Sequence, residues 1–286
     1  MAIKIIECPR DAMQGLHHFI PTQTKIDYIN QLLKVGFDTI DFGSFVSPKA
    51  IPQMADTKEV LAGLNLAQTN TKLLAIIANL KGAEMAVQYP KITYLGFPFS
   101  ISETFQQRNT NSSIAESLET VKAIQHLCVS NNKELVVYIS MGFGNPYGDV
   151  WNTEIVEKWV SEMGQLGIKI ISLSDTIGIA NPETIAYLFK HLIPTFPNIE
   201  FGAHLHTTPN TWQEKIEAAY ENGCKRFDGA MKGFGGCPMA ADDLTGNMAT
   251  ENLYAYFNDK GLQTGIDGYK FVDALIIANQ VFENAH

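Results

Sequence analysis

Short runs rich in β-branched and aromatic residues recur along the chain, and the segments between them carry apolar residues at three- and four-residue spacing. The runs fall at 3–8, 38–42, 72–78, 92–97, 134–140, 169–174, 200–206 and 226–230. Their length and composition predict strands. The segments 22–35, 113–130, 153–166, 182–192 and 211–222 predict helices. Gly36, Gly167 and Gly223 close three of these helical patterns, where a left-handed C-cap would sit, and a strand follows each directly. Eight strand-helix units between residues 3 and 230 predict an α/β chain folded as a (β/α)₈ TIM barrel, with active-site residues at the C-terminal ends of the strands. A doubly wound sheet would place a glycine-rich phosphate fingerprint after the first strand, and Cys8-Pro9-Arg10-Asp11 stands there instead. No linker divides the pattern, so 1–286 reads as one barrel domain, with 269–282 as an extra C-terminal helix packed on it.

The polar residues fit that map. Asp11 follows the first strand, Asp41 ends the second, Asp175 ends the sixth, and His204 and His206 end the seventh. Two histidines two apart on a strand point to one face, the barrel interior, where they can share a metal. Asp11 and Asn247 are the candidates to complete the set, and mixed nitrogen and oxygen ligation suits Mg²⁺ or Mn²⁺. Arg10, beside Asp11, offers a permanent cation for a developing oxyanion. After the eighth strand the segment 232–247, KGFGGCPMAADDLTGN, sets Cys237 among Gly233, Gly235, Gly236 and Pro238. Such a loop presents a thiol rather than burying it, and it reads as an active-site lid.

Composition narrows the function. With 45% hydrophobic and 18% charged residues, the chain has an ordinary globular composition. A net charge of −9 argues against sequence-independent nucleic-acid binding, which needs Lys and Arg to displace phosphate counterions. Four scattered cysteines (Cys8, Cys128, Cys224, Cys237) make neither a disulfide framework nor a paired-cysteine zinc site. With no apolar run of membrane-spanning length and no signal-peptide pattern, the expectation is a cytoplasmic protein without membrane association.

Five stretches carry a family resemblance: CPRDAMQ, SFVSPKAIPQMAD, SLSDTIGIANP, HLH, and GFGGCPMA followed by TGNMATENL. Together they resemble the 3-hydroxy-3-methylglutaryl-CoA (HMG-CoA) lyase family of metal-dependent barrel enzymes. The resemblance implies that Asp11, His204, His206 and Asn247 hold a divalent cation, that Arg10 meets the thioester carbonyl, and that Cys237 moves protons from a closing lid. It also implies that Asp175 stands beside the substrate, that Ser44, Asn109, Tyr138 and Ser172 line the pocket, and that Glu251 supports the loop. A homodimer acting on a small acyl-CoA follows from the family.

The chain departs from the family pattern at several points. Asp41 replaces a usual Glu, and Thr207-Thr208 follows His206 where Asp-Thr is usual, which removes a carboxylate that could orient the ring. Glu7 stands one residue closer to Asp11 than usual, AMQGL replaces GLQNE, and the interval from Cys237 to Asn247 is longer by one.

The expected reaction is retro-Claisen cleavage of (S)-3-hydroxy-3-methylglutaryl-CoA to acetyl-CoA and acetoacetate, as in leucine degradation and ketone-body formation. Asp41, Asp175 and Asp11 compete for the role of base, with His204 as a relay. The alternatives are a lyase for another 3-hydroxy acyl-CoA, an acetyl-CoA-dependent 2-oxo acid condensing transferase, a metal-dependent hydrolase, and a silent barrel that binds an acyl-CoA or a protein.

Overall fold

Each β-branched run forms a strand, and the strands pair in chain order, all parallel, until the eighth returns to the first and closes a barrel. The computed structural model describes residues 2–236 and 245–283. The strands are β1 (Lys4–Glu7), β2 (Thr39–Ser44), β3 (Lys72–Ile76), β4 (Ile92–Ser100), β5 (Glu134–Ser140), β6 (Ile170–Asp175), β7 (Glu200–Leu205) and β8 (Arg226–Gly229). Among the described residues the helices are α1 (Pro9–Gln14), α2 (Thr22–Leu32), α3 (Thr57–Gly63), α4 (Leu80–Ala86), α5 (Glu103–Thr110), α6 (Ile114–Ser130), α7 (Thr153–Gln165), α8 (Pro182–Thr195), α9 (Trp212–Glu221), α10 (Thr250–Asp259) and α11 (Gly268–Phe282). The barrel expected from the sequence pattern is therefore present, and α11 is the expected closing helix, in contact with α2.

Local chemistry explains why these segments stop and start where they do. Asn152 accepts a hydrogen bond from the Ile155 N–H at 2.9 Å and Asn181 one from Thr184 at 2.8 Å, capping α7 and α8. Ser113 and Glu116 form a capping box at the start of α6. Gly36, Gly167 and Gly223 adopt φ of 97°, 80° and 100°, so the expected left-handed helix ends are real. The apolar stripes face the barrel: α7 buries Val156, Val160 and Met163, and α8 buries Ile185, Leu188, Phe189 and Leu192.

Inside the barrel, Leu74, Ile76, Tyr94, Val136, Tyr138 and Ile170 form a separate apolar cluster. The floor below them is polar. Lys4 Nζ donates to Glu200 Oε2 at 2.5 Å, and Arg226 Nη1 donates to Glu200 Oε1 at 3.3 Å. These pairs close the N-terminal end of the barrel.

The pattern did not predict α1, α3, α4, α5 or α10. α1 matters most here. It is too short to show a stripe, but Pro9 at its first position pre-sets the helical φ. This turn lays Arg10 and Asp11 across the barrel mouth.

Candidate active site

Strand alternation puts His204 and His206 on one side of β7, and both line a cavity of about 470 Å³ at the C-terminal end of the barrel. Asp11 reaches the same space from α1. One ligand-type atom from each of Asp11, His204 and His206 lies within 4.8 Å of the others. Asn247 arrives from the far end of the expected lid, drawn in by an antiparallel bridge with His206. Its Nδ2 donates to Asp11 Oδ2 at 2.7 Å and to the Phe234 carbonyl at 2.9 Å. The structure thus brings all four expected metal ligands together.

The charge states suit a cation. Burial, with His204 adding its charge, pushes the His206 imidazole down to about 3, so the ring is neutral and keeps a lone pair to donate. Burial alone would raise Asp11, but Arg10, the two histidines and the Asn247 hydrogen bond overcome it and hold the carboxyl below its usual range. An ionised carboxylate and two imidazoles, buried together, form a donor set that fits a divalent ion.

Arg10 is anchored between two carboxylates. Its Nε and Nη2 donate to Asp41 Oδ2 at 3.0 and 2.5 Å, and its Nη1 donates to Asp11 Oδ1 at 2.8 Å and to Gln14 Oε1 at 2.9 Å. Gln14 in turn donates to Asp11 Oδ1 at 2.7 Å. Asp41 keeps its second oxygen, Oδ1, buried and without a partner. Burial, against the opposing effect of Arg10, pushes its carboxyl up to about 6.

The other expected site residues divide. Ser44, Asn109 and Tyr138 line the cavity with Arg10, whereas Ser172 does not. Ser172 points into the barrel one row deeper, where a Cβ at Gly202 would come within 3.0 Å of its Oγ. Ser174, two residues on and on the same face, lines the cavity in its place.

Asp175, next after Ser174 and out of phase with both serines, faces away from the cavity. Its Oδ2 accepts from Lys215 Nζ at 2.7 Å and its Oδ1 from the Ala180 N–H at 3.0 Å. The same ammonium donates to the carbonyls of Gly178 and His206, each at 2.9 Å. Asp175, expected beside the substrate, is not among the residues that line the cavity. It is instead a buried strut behind β7.

Glu251 also lies off the cavity wall and accepts from the Lys232 N–H at 3.1 and 3.0 Å, at the start of the expected lid. Cys237 lies outside the described residues. Two contributors had no motif to announce them, Lys215 and Asp228, which bonds His204; Gln14, which closes the CPRDAMQ motif, and Glu7 were in view but carried no expected role. Glu7 is buried and ties both bases of the lid segment, accepting from the Met231 N–H at 2.9 Å and from Thr250 Oγ1 at 2.5 Å.

Comparison with known proteins identifies the family. The HMGL-like family model matches residues 2–277. A Pseudomonas aeruginosa 3-hydroxy-3-isohexenylglutaryl-CoA/hydroxy-methylglutaryl-CoA lyase is 34% identical over 275 residues, covering 95% of this chain and 90% of its own. The hydroxymethylglutaryl-CoA lyase YngG of Bacillus subtilis is 33% identical over 266 residues, covering 93% and 88%. An Acinetobacter baumannii HMG-CoA lyase, solved with coenzyme A and 3-methylmalate, superposes with a TM-score of 0.92 at 32% identity, covering 99% of this chain and 92% of that one. By the matching family model, by relatives above 30% identity along almost its full length, and by a shared barrel, the chain belongs to the HMGL-like family.

Proposed function

We propose that this protein is a cation-dependent carbon–carbon lyase that cleaves (S)-3-hydroxy-3-methylglutaryl-CoA to acetyl-CoA and acetoacetate, the chemistry of leucine degradation and ketone-body formation. One observation carries the reading: a single cavity at the barrel mouth holds Arg10 beside Asp11, His204 and His206. The family resemblance and the relatives named as HMG-CoA lyases support it. Asp11, His204, His206 and the amide oxygen of Asn247 would hold Mg²⁺ or Mn²⁺. When bound, such an ion polarises substrate oxygens and makes a hydroxyl easier to ionise.

The chain's own residues supply the rest. Arg10 is held rigidly by two carboxylates and presents a permanent positive charge to the thioester oxygen as the enolate forms. Of the three carboxylates that could take the hydroxyl proton, Asp175 is turned away and Asp11 has both oxygens engaged. Asp41 is held behind Arg10 and off the cavity lining, with one buried oxygen unpartnered and its carboxyl raised by burial to about 6, and of the three we assign it the base role. Ser44, Asn109 and Tyr138 line the acyl-CoA path. The role of Cys237 as proton donor to the enolate rests on the resemblance alone. Homodimeric assembly and a cytoplasmic location belong to the same proposal. Among the described residues no helix is long and apolar enough to cross a membrane, and Cys8, Cys128 and Cys224 are free and buried.

The test is incubation with HMG-CoA and Mg²⁺ or Mn²⁺, following acetyl-CoA and acetoacetate together, with a chelator control. Stoichiometric formation of both products, abolished by chelation, is expected. Failure to cleave this thioester, alongside turnover of a different 3-hydroxy acyl-CoA, would move the substrate assignment. No cleavage of any such thioester would remove the lyase reading.

A further inference from the structure

His204 uses its two ring nitrogens in opposite directions. Nε2 faces the cation site, 4.0 Å from Asp11 Oδ2. Nδ1 lies 3.1 Å from Asp228 Oδ2 on the neighbouring strand, where His204 and Asp228 are register partners. The Asp228 side chain is only 1% exposed, and its other oxygen has no hydrogen-bond partner. An ionised carboxylate can only accept, so the nitrogen bonded to it must carry hydrogen. In a neutral ring the lone pair then sits on Nε2, toward Asp11 and His206.

Arg226 lies two residues before Asp228 on β8 and so on the same interior face, with its side chain 1% exposed. It places a positive charge directly beneath Asp228. Cys8 is the third group near this pair. Its thiol donates to the Ile6 carbonyl at 3.8 Å, leaving Asp228 as the partner of Nδ1. His206 meets the Thr245 backbone rather than a carboxylate, and its Nδ1 has no partner. Of the two rings, only His204 is bonded to a buried carboxylate through its Nδ1.

We propose that Asp228 is a positioning residue that fixes His204 as the Nδ1–H tautomer and turns its Nε2 lone pair toward the cation site. The inference rests on the cation reading given above and adds to it a residue outside the ligand set. Its signature differs from a packing role, because Asp228→Asn keeps volume and burial while offering an amide N–H that can bond Nδ1 and reverse the tautomer. An analogous carboxylate-to-amide change in serine proteases leaves geometry intact and gives the wrong tautomer.

The experiment has two readouts. The first is ¹⁵N NMR of the histidine rings in the metal-free protein, with His204→Ala assigning the resonances. It is recorded at about pH 9 because Asp228 and Asp11, against the effect of burial, raise the His204 pKa. Wild type should show Nδ1–H, and Asp228→Asn should lose that pure state. The second is calorimetric titration with Mn²⁺, in which Asp228→Asn should bind roughly 10–100-fold more weakly and Asp228→Glu should recover part of the loss. Circular dichroism checks that each variant is folded. An Nε2–H tautomer in wild type, or equal Mn²⁺ affinity in folded wild type and Asp228→Asn, overturns the proposal. Absence of Mn²⁺ binding by wild type overturns the cation reading itself, and with it the purpose assigned to Asp228. The NMR result still reports the tautomer independently.

Discussion

Asp41 and Asp175 both end strands, yet the direction of the side chain gives them different work. Asp175 is locked to Lys215, with both side chains almost wholly buried. Lys215→Met should therefore leave an unpaired buried carboxylate and cost about 3–5 kcal/mol, read as a shift in the denaturant midpoint. An unchanged midpoint would show that the pair contributes little. Arg10→Gln should act on turnover instead. Its contact is made mainly with the developing enolate, so kcat should fall by roughly 100- to 1000-fold with little change in KM. A change confined to KM would assign Arg10 to ground-state binding.

Glu7 gives a third test at this scale. Burial pushes its carboxyl up to about 8, against hydrogen bonds from Thr250 and Met231. A carboxyl raised in the folded state contributes stability that is complete below its ordinary value near 4.5 and is lost as pH rises through about 8. Glu7→Gln mimics the protonated form. It should match wild type near pH 4 and exceed it increasingly toward pH 9 in urea unfolding. Parallel pH profiles would mean that Glu7 is already ionised in the native state.

Elements decide which of these residues meet. Most strands were legible because they carry short buried runs of β-branched and aromatic residues bounded by glycine or polar residues, and β5 begins and ends where its pattern does. The paired histidines were legible because a period of two fixes their common face. The same rule could not separate Ser172 from Ser174, which share a face and differ only in depth. Alternation could have turned Asp175 outward, since it is odd where Ser172 and Ser174 are even. Its position at a strand end outweighed that signal. Asp228 and Lys215 lay beyond sequence reasoning because their partners, His204 and Asp175, come from other elements.

The segment joining β8 to α10 shows how tightly an element can constrain the site. Gly235 has φ 105°, and a Cβ there would stand 2.4 Å from Asn247 Nδ2 and 2.8 Å from the Asp11 carbonyl oxygen. Gly235→Ala should displace Asn247 from Asp11 and abolish Mn²⁺ binding by calorimetry, while the circular dichroism of the barrel stays intact. Retained affinity would show that Asn247 does not help to hold the ion.

For the whole molecule, the barrel separates support from chemistry along its axis. The floor pairs Lys4 and Arg226 with Glu200, while the mouth gathers Asp11, Asp41 and Asp228 around one arginine and two histidines. The four expected ligands come from the end of β7 with the residue just after it, from α1 and from the segment preceding α10. Those elements are contiguous only in the folded chain, so an ion held there binds the native state alone and must stabilise it by mass action. At a concentration one hundred times the dissociation constant the gain is about 2.7 kcal/mol. For a domain of this size that is roughly 4–5 °C in Tm. Thermal unfolding with increasing Mn²⁺ should rise by this amount and be reversed by chelator, whereas His206→Ala should show a flat response at the same concentrations. A shift that survives in His206→Ala would place the stabilising ion elsewhere. Its absence in wild type would leave the acidic mouth held only by Arg10 and its hydrogen bonds.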